Sequence, residues 1–158
     1  MSLQKSLKLL SCILLCESAG MVGAIFTYPA IGTWYAGLAK PAFSPPNWVF
    51  APVWTILFAL MGIALYLVWE QGWQKREVRE AVELFLGHLV INIAWSVAFF
   101  GLHKPLLAFF GIILLLAYII VLIRLFAHIR LLAAYLLFPY LLWVGFATVL
   151  NFELWRLN

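Results

Sequence analysis

The chain contains no aspartate, and all six of its acidic residues are glutamates. Only 10% of its residues are charged, against about a quarter in ordinary soluble domains, so it cannot clothe itself for water. Few serines or threonines fall at membrane depth, and there is neither a glycine-rich phosphate loop nor a paired-ligand motif. The sequence therefore offers no nucleophile–base–orienter set, and no catalytic residue is assigned. Its two cysteines, Cys12 and Cys16, lie four apart on one predicted helix and cannot readily bridge each other. They read as small hydrophobes. His103 and His128 fall at loops or interfaces with no second ligand at a metal-like spacing, so no metal site is expected.

What the chain has in abundance is apolar mass. Hydrophobic residues make up 66% of its 158 positions, and the mean hydropathy is +1.06. The apolar runs divide into five spans of roughly 20 residues, each long enough to cross a bilayer, at about 7–26, 48–69, 82–102, 105–125 and 131–155. The expected fold is an all-α membrane protein: one domain over 1–158, a five-transmembrane-helix bundle with a long Trp/Pro-rich loop between the first two helices. The net charge of +4 does not point to nucleic acid, because the ten basic residues gather at span ends. Lys5, Lys8, Lys75, Arg76, Arg79, Arg124 and Arg130 share one side, against Lys40, Lys104 and Arg156 on the other. Seven against three places the N-terminus inside by the positive-inside rule. The basic N-terminal run has a signal-peptide flavour, but no small-residue cleavage pattern follows, and it reads as an uncleaved first span. The mixed charges from Lys75 to Glu83 read as a solvated, salt-bridged helix start.

One stretch departs from plain membrane sequence. Trp34–Thr55, WYAGLAKPAFSPPNWVFAPVWT, holds three of the eight tryptophans and four of the seven prolines. Pro41, Pro45 and Pro46 preclude a continuous helix and imply a stiff, turn-rich connector. Pro52 sits in the first turn of the second span, where a missing N–H costs little. In the first span Ala19, Gly20, Gly23 and Ala24 form a small-residue face that admits a close neighbour. Glu17, mid-span, must face the bundle, a water-filled cavity or a partner.

Helical spacing aligns Phe50, Trp54, Phe58 and Met61 on the second span, and His88, Asn92, Trp95 and Phe99 on the third. On the fifth it aligns Tyr140, Trp143, Ala147 and Leu150, with Asn151 adjacent. Such stripes can simply face lipid or a neighbouring helix. Asn92, Thr148 and Asn151 lie beside them at membrane depth, however, and an aromatic pocket with a few placed polar groups suits a flat, largely apolar ligand. Ala147 would leave room on a crowded face, and Pro139 is expected to bend the fifth helix.

The motifs WYxxLxKPxFxPPxWVFxPVWT at Trp34–Thr55, NxxWSxxFFGL at Asn92–Leu102 and PYLLWVGFATVLN at Pro139–Asn151 resemble the tryptophan-rich sensory protein / translocator protein family, also called the peripheral-type benzodiazepine receptor family. The resemblance covers the whole chain. It implies a five-helix bundle, often a homodimer, that binds porphyrins such as protoporphyrin IX as ligand rather than cofactor. In animal members it also implies cholesterol and drug binding. Carried over by motif position, the implied site comprises Tyr35 and Pro45 from the loop; Phe50, Trp54 and Phe58; Asn92 and Trp95; and Trp143, Ala147 and Leu150. Two departures stand out. Phe152 replaces the tyrosine of the animal cholesterol pattern, and Ser96-Val97 stand where animal members carry two prolines, which implies a milder bend.

The resulting expectation is a receptor or carrier in a prokaryotic cell membrane, with Trp54, Trp95 and Trp143 stacking on a tetrapyrrole, Asn92 donating a hydrogen bond, and Trp34–Pro46 acting as a lid. The alternatives are an enzyme promoting light- or oxygen-dependent porphyrin breakdown, and a ligand-responsive signalling partner.

Overall fold

The computed structural model describes residues 3–158. Its five long helices are each long and apolar enough to cross a membrane. They are α1 (Leu3–Ile31), α3 (Phe50–Trp69), α4 (Arg76–Ser96), α5 (Pro105–Ile129) and α6 (Leu131–Leu157). A four-residue helix, α2 (Trp34–Gly37), lies in the first connection, and a 3₁₀ turn over Asn47–Val49 leads into α3. Helices satisfy their own backbone groups, which hydrocarbon demands because it offers no water to do so. The protein is an integral multi-pass membrane protein.

In the bundle α3 packs between α1 and α6, and α4 packs between α1 and α5, with α5 and α6 in extensive contact. The connections are tight. Gly72 takes φ 120° in the turn between α3 and α4, and His103 takes φ 55° before α5. A single extended residue, Arg130, separates α5 from α6. On the N-terminal side Lys5 pairs with Glu70 at 2.8 Å, and Lys8 lies over the Trp69 ring, joining the start of α1 to the end of α3. The Lys5 ammonium, and then the Tyr66 hydroxyl, hold the Glu70 carboxyl below its usual range.

The spans extend beyond the apolar runs that announced them. α1 starts at Leu3 and continues to Ile31 rather than ending near 26, even though Pro29 lies in its last turns. The Pro29 carbonyl, among the last of α1 and so without a full intrahelical partner, accepts from Thr33 Oγ1 at 2.8 Å. α4 begins at Arg76, six residues before the apolar run, and its exposed first turns carry the Arg76–Glu80 pair one turn apart. α6 runs through Pro139 without interruption, so the expected bend does not break the helix. At the other end of α4, Val97–Gly101 form a π-helical turn, with the Leu102 N–H donating to the Val97 carbonyl at 2.8 Å. This turn occupies the place where a proline-induced bend was compared above.

The closest approach between helices lies at Gly62. A Cβ built there would fall 2.5 Å from Ile13 Cα and 3.0 Å from the Cys12 carbonyl oxygen. The obstacles are backbone atoms, which cannot step aside, so only glycine fits. Met61, Ala64 and Cys16 fill the seam around this crossing with no exposure beyond a trace. In lipid, where apolar residues gain little by leaving the solvent, such close packing is what holds helices together. Gly62→Ala should therefore lower stability by about 1–3 kcal/mol through overpacking. Gly111→Ala, which meets nothing within 4 Å, should cause no loss. Thermal unfolding of both variants in the same detergent measures the difference.

Candidate functional site

Between α1, α3 and α4 lies a cavity of about 700 Å³. Its floor on α1 is made by Gly20, Gly23 and Ala24, and its aromatic walls are Phe50, Trp54 and Phe58 of α3 with Trp95 of α4 and Phe100 of the π turn. Tyr28, Asn47 and Trp48 stand at its mouth, and the Trp48 side chain is 74% exposed. The glycines create this space. A Cβ at Gly20 would meet the Phe58 ring at 2.5 Å, so Phe58 rests directly on the α1 backbone.

Each wall residue is held from behind. Trp54 stacks on Phe58 with centroids 5.5 Å apart, approaches Trp95 at 6.3 Å and meets the Tyr140 ring edge-on at 6.2 Å. Trp95 stacks on Phe99 at 5.9 Å. Its indole N–H donates to Asn151 Oδ1 at 3.1 Å, and Asn151 Nδ2 donates to the Pro105 carbonyl at 2.8 Å. The chain Trp95–Asn151–Pro105 thus locks one aromatic wall to both α5 and α6. Geometry of this kind, offset or edge-on rather than face to face, is the favoured arrangement for ring pairs.

Polar groups enter at defined places. Ser96 Oγ lies 3.1 Å from the Gly23 carbonyl and 2.9 Å from Thr27 Oγ1, and Thr27 itself reaches the Gly23 carbonyl at 3.1 Å. This cluster ties α4 to α1 at the cavity edge. Asn92 Nδ2 donates to the Tyr140 hydroxyl at 2.9 Å, and the same hydroxyl lies 2.8 Å from His88 Nε2. One of the two Asn92 amide hydrogens is thereby engaged inside the bundle, and the other remains for the donor role the sequence suggested. Glu17 faces the cavity, which is one of the three destinations its position allowed.

Of the ten residues the sequence suggested, Phe50, Trp54, Phe58, Asn92 and Trp95 line this cavity together. Tyr35, Pro45, Trp143, Ala147 and Leu150 do not. Phe50 separates the two groups: its ring meets Tyr35 at 6.4 Å and Trp143 at 6.0 Å, both edge-on. Beyond it Tyr35 and Leu150 are buried in one cluster with Phe99 and Leu154, and Ala147 is buried in the main core. The buried Trp143 indole N–H lacks a hydrogen-bonding partner among the described residues, and the Tyr35 and Ser44 hydroxyls, although neighbours, lie outside hydrogen-bonding geometry. Burial raises the Tyr35 phenol above its ordinary range, and the nearby Ser44 hydroxyl partly offsets this. Three unpaired polar atoms beneath the loop are costly, since buried polar groups are ordinarily satisfied.

Sequence reasoning passed over Thr27, Ser96 and the Gly20–Phe58 contact as parts of the site. Gly20 and Gly23 had been noted only as a packing face. Nothing in their spacing said that the neighbour admitted there would be an aromatic ring.

A family model described as the TspO/MBR family matches residues 12–156, a stretch that contains every cavity-lining residue. The chain belongs to the TspO/MBR family. Among its relatives in that family is the tryptophan-rich protein TspO of Chlorobaculum tepidum, 45% identical over 152 residues and covering 96% of each chain. The tryptophan-rich protein TspO of Archaeoglobus fulgidus is 44% identical over 154 residues, covering 96% of this chain and 97% of that one. The translocator protein of Homo sapiens is 38% identical over 139 residues, covering 87% of this chain and 82% of its own. The family resemblance read from the three motifs is thereby established, as is the helical membrane fold it implied.

Trp95→Phe keeps the ring in the wall but strips Asn151, which is only 2% exposed, of the donor to its carbonyl oxygen. An orphaned buried acceptor costs about 1–3 kcal/mol, so this variant should unfold earlier in a detergent melt. Trp73→Phe, outside the bundle, should leave the melt unchanged.

Proposed function

We propose that the protein is a membrane receptor or carrier for flat, largely apolar ligands of the tetrapyrrole type, with protoporphyrin IX as the representative. The observation that carries this reading is the cavity of about 700 Å³ walled by Trp54, Phe58 and Trp95. Its size falls within the roughly 300–1,000 Å³ of small-molecule sites, and its make-up, aromatic with a few polar groups, is also theirs. The ligand is bound non-covalently and is not a cofactor. A ring lying against Trp54 and Trp95 meets two indoles whose planes differ by 34°, so it stacks on one and leans on the other.

The unpaired Tyr35, Ser44 and Trp143 atoms support a larger bound state. If the Phe50 ring turns aside, the buried cluster behind it becomes continuous with the cavity wall. A ligand then meets those atoms along with Ala147 and Leu150. The division of basic residues supports an N-terminus inside, with the Trp/Pro-rich loop on the outer face. A homodimer and a prokaryotic cell membrane accord with the same reading. Part of its support is the name of the human relative, translocator protein.

The test is a titration of the protein in lipid nanodiscs with protoporphyrin IX, followed by the shift of the porphyrin Soret band. Binding should saturate. Trp54→Ala should weaken it about tenfold, which is about 1.4 kcal/mol and in keeping with loss of an aromatic partner. Val149→Ala, on a side chain 55% exposed on the outer surface of α6, should remain within about twofold, well under that 1.4 kcal/mol. Unchanged affinity in Trp54→Ala removes the cavity from the ligand site.

A further inference from the structure

Behind the cavity wall the three residues His88, Tyr140 and Asn92 form a chain whose hydrogens can be placed by elimination. His88 is fully buried, with Nδ1 3.3 Å from the Phe85 carbonyl and Nε2 2.8 Å from Tyr140 Oη. A carbonyl oxygen only accepts, so the hydrogen of this pair belongs to His88 Nδ1. A charged imidazolium sealed in an apolar bundle is costly without a counter-charge, and none of the ion pairs among the described residues includes His88. The ring is neutral, and its single N–H is spent on Phe85. Nε2 must then accept, and the only hydrogen available to it is that of the Tyr140 hydroxyl. The Tyr140 oxygen, having given its hydrogen to His88, accepts from Asn92 Nδ2 at 2.9 Å.

The last link is the one that meets the ligand. With one Nδ2 hydrogen turned inward to Tyr140, Asn92 Oδ1 has no partner among the described residues and is not sealed, and Asn92 lines the cavity with its second Nδ2 hydrogen unclaimed. The reverse order would put a bare Nδ1 lone pair against the Phe85 oxygen, acceptor facing acceptor. The hydroxyls at the cavity share this polarity. Thr55 spends its hydrogen on the Ala51 carbonyl at 3.0 Å, and of the Thr27 and Ser96 hydroxyls one donates to the Gly23 carbonyl and the other to the same carbonyl or to its neighbour. The Trp54 indole N–H, with no partner among the described residues, is the donor on the same wall.

We infer that His88 and Tyr140 are positioning residues that fix Asn92 Oδ1 as an acceptor toward the cavity, so that the site selects flat ligands carrying an N–H or O–H donor at their edge. The inference rests on the ligand site proposed above and adds its chemical polarity. Neither residue touches the ligand, and each acts through Asn92.

Carbazole and dibenzofuran test this directly, because they share three fused flat rings and differ in an edge N–H against an edge ether oxygen. Calorimetry in nanodiscs should find carbazole bound about tenfold tighter, equivalent to about 1.4 kcal/mol. In Tyr140→Phe the amide of Asn92 is free to turn, and the preference should fall within about twofold, far below that tenfold step, while dibenzofuran affinity holds. A merely structural role for Tyr140 would weaken both ligands alike and would leave the ratio in place. Nitrogen-15 NMR of imidazole-labelled protein, with His88 assigned through His88→Gln, gives a readout free of ligand: the Nδ1–H tautomer is expected. The Nε2–H tautomer, or equal binding of the two tricycles by the unsubstituted protein, overturns the inference while leaving the ligand site standing. If neither tricycle nor protoporphyrin IX binds, the ligand site itself is wrong, and the inference goes with it.

Discussion

At Gly62 the backbones of α3 and α1 come within van der Waals contact with no side chain between them, and one turn pair further along Gly20 lets the Phe58 ring rest on the α1 backbone. The position of α1 is decided by these two contacts. Were α1 to sit farther out, Ser96 could not reach the Gly23 carbonyl, and the cavity would become an open groove on the lipid face. In water the hydrophobic effect would press such a helix inward regardless of detail. In hydrocarbon that force is missing, and small residues with short polar ties must do the seating. This explains why α1, whose outer side exposes Leu10, Leu14 and Ile25 to lipid, carries its specificity on glycine, cysteine and alanine.

The polar side chains of the bundle divide by how completely they are satisfied. Asn151 is engaged at both ends, between Trp95 and Pro105, and serves as a strut. Asn92 is engaged at one end only. Tyr35, Ser44 and Trp143 have buried polar atoms engaged by nothing. A low-dielectric interior makes each unsatisfied group expensive, and natural proteins tolerate such groups chiefly where a ligand, an ion or water completes them. The gradient from satisfied to unsatisfied runs from the α5–α6 side toward the loop. It marks the direction from scaffold to site.

Much of this was legible in the sequence. Five apolar runs gave five helices, and the three aromatic stripes lie on α3, α4 and α6, because helical periodicity survives any tertiary detail. Boundaries were less legible. Hydropathy put the third span at 82 because it marks where lipid begins rather than where a helix begins; the mixed charges from Lys75 to Glu83 marked the helix start, and α4 does begin at Arg76. The end of α1 was placed near 26 by hydropathy, yet the helix runs on to Ile31. The site was half legible. Phe50 belongs to the stripe with Trp54 and Phe58, but no periodicity could tell that its ring would stand between Trp143 and Tyr35 and divide the ten suggested residues in two. Hydrogen placement in His88–Tyr140–Asn92 was likewise beyond pattern reading, since it depends on a contact with the Phe85 carbonyl.

The first connection is fixed at one end and loose at the other. Trp34 stacks on His103 with centroids 4.4 Å apart, and Asn158 accepts from the Ala39 N–H at 2.9 Å while donating to the Ala39 carbonyl at 3.1 Å. These contacts pin residues 34–39 to the ends of α5 and α6. Among the described residues no side-chain hydrogen bond or ion pair holds the stretch from Pro45 to Trp48 to the bundle, and Asn47 and Trp48 stand at the mouth of the cavity. Phe43 is held to Phe146 of α6 by an edge-on ring contact at 6.2 Å, so in the receptor reading proposed above a movement that admits a ligand would be concentrated between Pro45 and Val49. Pro45 and Pro46 would stiffen that segment so that it shifts as a unit. The unit ends at Phe50, the first residue of α3 and the partition inside the site. In that same reading, displacing the loop outward would pull on the Phe50 ring, so that mouth and partition would open together.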